Sequence, residues 1–481
     1  MRRSLHSPLL VVAGLFVSVS TTPAQPSRSP LNPGVIAFTS VAVVPMTSDT
    51  VLRDMTVLVR DGRIVAVAPA QNARVPDGAR RIDGRGKYLI PGLADAHTHL
   101  YSDDEVADSL AAYELGVMLA NGVTVARLMI GTPEQLVLRA DVAGGRVLGP
   151  QLWLASPQLT GNRTTNARTV ATPEEARTAV REVAAAGYDF VKLTENIPLP
   201  VYDAITDEAR LRGIRVDGHV DPRVGVMHAL EAKQNIQHLD GYFEAALADS
   251  APSRVSLTQG GVFRLGNWRS IDHVDDAALA RLAGATARAG IWSTPTLTVF
   301  NTAFGIGFTD DDLHARPDWQ LMPPNFRRLY VNARQRYWNA ANDSVRTPAR
   351  RRRYVEIRNR LAKAIVDSGG RVLAGSDSPD WFMVYGWTLH RELENLVAAG
   401  LTPYQALAAA TRHPAEYFGA LGEWGTIERG KRADLVLLSA NPLERISNTT
   451  QIEGVAIGGR WLARAELDAM IRAASARING G

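Results

Sequence analysis

The sequence predicts an α/β protein: a (β/α)8 TIM barrel joined to a small β-sandwich domain built from both chain ends. Three observations carry this. Through the middle of the chain, apolar strand-like segments alternate with helical ones, the pattern of a parallel sheet. About eight such strands are present, the number that closes a barrel. Both ends read instead as short alternating strands with tight turns. A chain of 481 residues is long enough for one large domain and an accessory one.

The elements follow in order. Residues 1–24 read as a secretory signal peptide: Arg2 and Arg3 open it, Leu9–Val19 is its apolar run, and Ser20–Ala24 offers a cleavage site. The apolar run is shorter than the about 20 residues that span a bilayer. The chain contains no Cys that could carry a lipid. The expectation is an exported, periplasmic protein without a stable membrane anchor. Residues 25–34, rich in Pro and Ser, read as a linker. Val35–Val44 and Met55–Val67 read as strands; "TVLVRDGRIVAV" alternates around an Asp61-Gly62 hairpin turn. Ala433–Leu438, Ile452–Ile457 and Arg460-Trp461, with a Gly458-Gly459 turn, share that style. Residues 35–88 and 423–465 therefore form the expected composite sandwich, with 466–481 a C-terminal helix or tail.

The barrel is expected over 89–422. Its candidate strands are Ile90–His97, Thr124–Met129, Gln151–Ala155, Phe190–Thr194, Arg215–Val220, Ile236–Leu239, Trp292–Leu297 and Arg371–Asp377. Helical stretches lie between them, such as Pro173–Ala186 with Thr172 as its cap, and Pro200–Arg212. The stretch 300–364 is long for a strand-to-strand connection. It reads either as a lid that shapes a substrate pocket or as a helical excursion with a solvated face at Arg350–Arg353.

Chemistry concentrates at the strand ends, where barrel active sites form. In "PGLADAHTHL", His97 and His99 sit two apart at the end of a strand and so share a face. Two neutral imidazoles on one face are a ready metal chelate. Lys192, in "DFVKLTEN", is a lysine inside a strand that should line the core. Its burial is costly unless it is paired or, as a carbamate formed with CO2, bridges two cations. The alternative is a salt-bridged lysine with a buried stem. His219 closes "IRVDGHV" and His238 closes "NIQHLDG". Asp377, in "VLAGSDSPD", either faces a metal-activated water as a proton acceptor or caps a helix opened by Pro379. His228, His273, His314 and His413 read as structural, His6 falls in the signal, and His390 reads as an outer hydrogen-bond partner. Arg127, Tyr242, Trp381 and Tyr385 fall near strand ends without an assigned ligand. A formal net charge of +4 gives no case for nucleic acid. A small-molecule substrate is expected, and the sequence leaves oligomerisation open.

Taken together, "IPGLADAHTHL", "ANGVTVARLM", "FVKLTEN", "VDGHV", "IQHLDG", "LAGSDSP", "LTPYQALAAATRHPAEYFG" and "GTIERGKRADLVLL" resemble the amidohydrolase superfamily. Within it the pattern is most similar to imidazolonepropionase-like and Xaa-Pro dipeptidase-like metal-dependent hydrolases. The resemblance implies two divalent metal ions, usually zinc (Zn2+) in such relatives. His97 and His99 would hold one with Asp377, His219 and His238 the other, and a CO2-derived carbamate on Lys192 would bridge them. It implies hydrolysis of a carbon–nitrogen bond, as in a dipeptide or N-acyl amino acid. A metal-bridging hydroxide would attack the carbonyl, with Asp377 as proton shuttle. Mononuclear deaminase-type relatives carry a Glu shortly after the fifth-strand histidine; here His219 is followed by Val220-Asp221-Pro222-Arg223. The competing readings are a mononuclear cyclic-amide hydrolase or deaminase, a lactonase or esterase on the same site, and a periplasmic metal- or solute-binding protein. A pure binder has no need of a strand-end Asp beside an open metal position.

Overall fold

The computed structural model describes residues 34–100, 110–162, 167–251, 268–304, 309–338 and 347–480. The expected signal peptide and nearly all of the expected linker lie outside the described residues. The first strands are β1 (Val35–Val43), β2 (Leu52–Arg60), β3 (Arg63–Pro69), β4 (Arg80–Asp83) and β5 (Tyr88–Pro91). β2 and β3 form the hairpin expected around Asp61-Gly62, with Arg60 opposite Arg63.

The middle of the chain supplies β6 (Leu93–Thr98), β7 (Val123–Leu128), β8 (Gln151–Leu154), β9 (Gln158–Thr160), β10 (Ala167–Thr169), β11 (Phe190–Leu193), β12 (Arg215–Gly218), β13 (Asn235–Gln237), β14 (Trp292–Thr294) and β15 (Arg371–Val372). β6-β7-β8 pair in parallel. So do β11-β12-β13-β14-β15. Two parallel bridges join these runs into a ring, Ala155 to Phe190 and Thr98 to Ser378. The barrel thus has eight parallel strands, while β9 and β10 form a short side extension. Helices cover its outside. Pro173–Ala186 shows why they form: Thr172 caps the first turn, and Ala176, Ala179, Val180 and Val183 place one apolar face inward at helical spacing.

Ile236–Leu239 stops as a strand at Gln237, and Trp292–Leu297 stops at Thr294, with Leu297 opening a helix; two other expected strands differ further. The run Ile90–His97 is two strands, broken at Gly92. Ile90 pairs with Val436 in the terminal sheet, and the barrel strand begins at Leu93. Pro91-Gly92 marks the break in the sequence, but strand character on both sides of it merges the two when periodicity alone is read. Arg371–Asp377 shortens to β15. Its continuation stays extended between neighbours, with Leu373 N–H donating to Ser293 O and Ala96 N–H to Ala374 O, both at 2.9 Å.

The chain closes with β16 (Leu435–Leu438), β17 (Ile452–Ile457), β18 (Arg460–Ala463) and a last helix, Arg464–Asn479. β16–β18 join β1–β5 in one sheet of order β18-β17-β16-β5-β1-β2-β3, with β4 on β1. Its buried face includes Phe38, Val43, Val57, Leu89, Leu435 and Trp461. Phe38 meets Trp461 edge to face at 5.3 Å between ring centroids.

In the 300–364 stretch, the long helix Pro348–Asp367 buries Tyr354, Ile357, Arg358 and Leu361. Arg350 pairs with Asp272 at 2.8 Å, and Arg351 reaches Phe304 O at 2.8 Å, so this basic run is partly engaged. Tyr330, from the helix Pro324–Trp338, donates to Asp380 Oδ1 at 2.9 Å and stacks on Trp381. The stretch therefore packs against the loop that follows Asp377. No helix among the described residues is long and apolar enough to cross a membrane.

Candidate metal centre

The C-terminal mouth of the barrel gathers the six residues singled out in the sequence. His97 lies near the end of β6 and Lys192 in β11. His219 and His238 directly follow β12 and β13. Asp377 lies at the end of the segment after β15, where its own backbone turns left-handed (φ +56°). Backbone bonds fix these positions. His219 N–H donates to Leu193 O (3.1 Å), His238 N–H to Thr294 O (2.8 Å) and Asp377 N–H to His97 O (2.7 Å). Gly218 permits the turn into His219: its φ is +139°, and a Cβ there would stand 2.2 Å from Leu193 O.

Donor atoms of His97, His238 and Asp377 all lie within 4.8 Å of one another, and all three residues are buried. Asp377 Oδ1 is 3.2 Å from Nε2 of both His97 and His99. Its Oδ2 is 3.6 Å from His238 Nδ1. The His219 ring stacks on His238 at 4.9 Å. Lys192 is 1% exposed. Burial pulls its ammonium down to about 8, against the attraction of Asp377. The structure therefore joins His97, His238 and Asp377 in one tight donor group, with His99 on the same carboxylate and His219 against His238. Lys192 is buried within reach of their charges.

Burial pulls His97 down to about 3 and His238 well below the ordinary imidazole value. Both are neutral near pH 7 and so offer lone pairs. Burial pushes the Asp377 carboxyl up, but His97 and His238 beside it more than reverse this and hold it well below the usual range. Two neutral imidazoles and a carboxylate, buried and convergent, suit a divalent cation. Three of the four rings have an acceptor facing Nδ1. His97 meets Gln237 Oε1, His219 meets Asp240 Oδ2 and His238 meets Thr296 Oγ1, each at 2.8 Å. Nδ1 of His99 is buried without a hydrogen-bond partner.

The remaining candidates resolve as follows. The helix after Asp377 starts at Trp387, so Asp377 is not its cap. His390 lies away from the centre, between Thr449 Oγ1 (2.9 Å) and Asn121 O (3.0 Å). His228 pairs with Asp203, and His413 with Val372 O. Tyr385 donates to Glu114, and Tyr242 pairs with Thr286. Asp221, the acid nearest after His219, is held by Arg223 in a two-pronged pair at 2.9 and 2.8 Å. Burial raises its carboxyl, yet Arg223 keeps it below the ordinary value. The sequence reading missed Gln237, Asp240, Thr296 and Asp217. The signal for Asp217 was present, since it lies two residues before His219 on a strand and so shares its face.

Residues 88–462 match the profile of the Amidohydrolase family, so the chain belongs to that family of hydrolases acting on carbon–nitrogen bonds. An adenine deaminase from Rubrobacter xylanophilus is 26% identical over 446 residues, covering 90% of this chain but 59% of the deaminase. An imidazolonepropionase from Symbiobacterium thermophilum is 26% identical over 404 residues, covering 79% of this chain and 82% of that protein. A solved structure from Bifidobacterium longum, assigned provisionally as a prolidase, is 27% identical with a TM-score of 0.65. It covers 92% of this chain and 99% of its own. The family and this solved structure support the TIM-barrel fold of the chain.

Proposed function

We propose that the chain is a metal-dependent amidohydrolase that cleaves the amide bond of a dipeptide or N-acyl amino acid. The observation that carries this is the convergence of His97, His238 and Asp377 at the barrel mouth, with Lys192 buried beside them. His97, His99, His219, His238 and Asp377 would hold two divalent cations, and Lys192, as a carbamate, would bridge them. When bound, the cations polarise the carbonyl and lower the pKa of water. Asp377, ionised by its neighbours, accepts the proton from the attacking water as the C–O bond forms. It then returns that proton to the nitrogen as the C–N bond breaks. With the imidazole lone pairs given to the cations, Asp377 would be the group at this mouth left to accept it. In the same reading, the terminal sheet closes on itself as a small sandwich, supported by the Phe38–Trp461 contact and by the backbone bridge between Arg63 and Arg432.

The names of the two sequence relatives favour a second reading, a mononuclear deaminase or cyclic-amide hydrolase. The Arg223 pairing weighs against it, because it ties up the one carboxylate close after His219. Metal content after removal of loosely held ions separates the two: about two ions per chain against one. A screen of metal-reconstituted protein against dipeptides, N-acyl amino acids, cyclic amides and lactones tests the substrate class. Turnover confined to cyclic amides or lactones would end the dipeptide reading. Lys192→Ala is expected to lose metal and activity, with partial rescue by short-chain carboxylic acids that stand in for the carbamate. Full metal content in that variant would remove the bridge.

A further inference from the structure

Beneath the donor group, the barrel interior holds a closed polar network that the proposed reaction does not use. Arg127, on β7, is fully buried. Its Nε donates to Ala96 O, the carbonyl just before His97. One terminal nitrogen donates to Asp217 Oδ1 at 2.9 Å, the other to Gln237 Oε1 at 3.3 Å and Thr294 Oγ1 at 3.2 Å. Asp217, also fully buried, accepts at Oδ1 from Gln237 Nε2 (3.1 Å). At Oδ2 it accepts from Asn235 (3.2 Å) and Tyr417 (2.7 Å).

This arrangement leaves one orientation for the Gln237 amide. Turned over, its NH2 would face the Arg127 donors and its oxygen would face the Asp217 carboxylate, two repulsive contacts in a dry interior. As oriented, Nε2 donates to Asp217 and Oε1 accepts from Arg127. The same oxygen faces His97 Nδ1 at 2.8 Å, and an amide oxygen can only accept. Nε2 of the same ring stands 3.2 Å from Asp377 Oδ1, a second acceptor; a proton on Nδ1 satisfies Gln237 and leaves Nε2 for a cation between the ring and that carboxylate.

We propose that Gln237, locked by the Arg127–Asp217 pair, is a positioning residue: it holds His97 in the Nδ1–H tautomer and turns the Nε2 lone pair toward the donor group. The proposal rests on the reading of His97 as a metal ligand. It gives a buried ion pair on the barrel floor a purpose at the mouth, since polarity passes from Asp217 through one amide to one imidazole. Asp240 and Thr296 serve His219 and His238 from loops; Gln237 alone of the three is set by charges inside the barrel.

The test compares metal-free wild type with Gln237→Leu and Gln237→Glu. Histidine ring nitrogens are labelled with 15N, and the His97 signals are assigned by their loss in His97→Asn. Zinc affinity is read by titration against a competing chelator. Wild type is expected to show His97 protonated on Nδ1. Gln237→Leu is expected to show both tautomers and a zinc affinity about 10- to 100-fold weaker. Gln237→Glu, with its second oxygen protonated where it meets Asp217, keeps an acceptor opposite Nδ1 and should recover most of that affinity, which a merely space-filling role would not predict. A His97 protonated on Nε2 in the metal-free wild type overturns the proposal, whether or not the variants fold. So does a Gln237→Leu protein with wild-type tautomer and affinity. A wild-type chain that takes up no zinc, yet shows the Nδ1–H tautomer, overturns the reading of the centre and leaves the positioning argument standing.

Discussion

Two single residues decide whether the mouth of this barrel can work. Asp377 is one, because it is the ionised group touching two of the histidines. In Asp377→Asn the amide keeps the size and one oxygen donor, so metal should stay bound. Turnover should fall by about 10²- to 10⁴-fold, the usual worth of a positioned proton acceptor. Metal analysis beside kcat checks both halves, and unchanged kcat would remove Asp377 as the shuttle. Gly375 is the other. A Cβ there would stand 2.6 Å from the Cβ of His97 and from Thr294 Cγ2, and 2.9 Å from His97 N. Gly375→Ala must push His97 aside, so we expect weaker zinc binding and a loss of about 1–3 kcal/mol of stability. Chelator titration and urea unfolding measure the two; a variant with wild-type zinc affinity would show that His97 tolerates the shift. At this scale the sequence was informative where chemistry forces an unusual residue into an apolar strand, as with His97 and Lys192. It was silent on Gln237 and Thr296. Neutral polar residues are unremarkable in sequence; Gln237 gains its role only through Arg127, Asp217 and Thr294 on other strands, and Thr296 through the turn that brings it to His238.

Elements near the mouth are held by buried polar groups whose protonation is part of the fold. His390, on the helix Trp387–Ala398, ties that helix to Asn121 O at the end of the helix Ala111–Ala120 and to Thr449 in the turn Ile446–Thr450. Burial pulls its pKa down to about 4. In the unfolded chain an imidazole titrates near 6.5, so between those values the unfolded state binds the extra proton. Stability therefore falls as pH drops through this window, by on the order of 3 kcal/mol from this one group. Urea unfolding of metal-free wild type and His390→Gln from pH 7 to 4 isolates that share, since the other histidines are common to both. The wild-type curve should fall more steeply, and parallel curves would refute the assignment. The sequence reading allowed His390 an outer role at the metal centre. The structure gives it a joint between elements, and nothing in "WTLHRELENL" marks which helix it will meet. The segment Ile90–His97 shows the same limit, because strand character is local whereas the choice between terminal sheet and barrel depends on β16, some 340 residues on.

At the scale of the whole molecule, the alternation of strands and helices fixed a parallel barrel early, and barrel logic then placed the candidate site at its C-terminal mouth. The meeting of both chain ends in one sheet was legible from their shared style of short strands; the strand order was not. The donors come from β6, from the residue after β13 and from the segment after β15, so a bound cation ties separate parts of the ring together. It binds the native arrangement and has no comparable site in the unfolded chain, so it should stabilise the barrel by mass action, by about 4 kcal/mol at a thousand times its Kd. Removing metal should therefore lower the thermal midpoint, and adding it back should raise the midpoint with the logarithm of free metal. The terminal sheet has its own apolar face, centred on Phe38, Leu89, Leu437 and Trp461, and no donor in it. Hydrogen exchange should accordingly show metal protecting β6, β13 and the segment after β15 more than β1–β3. Equal protection throughout would mean that the two parts open as one unit. A midpoint indifferent to metal would mean that no cation is held at the mouth.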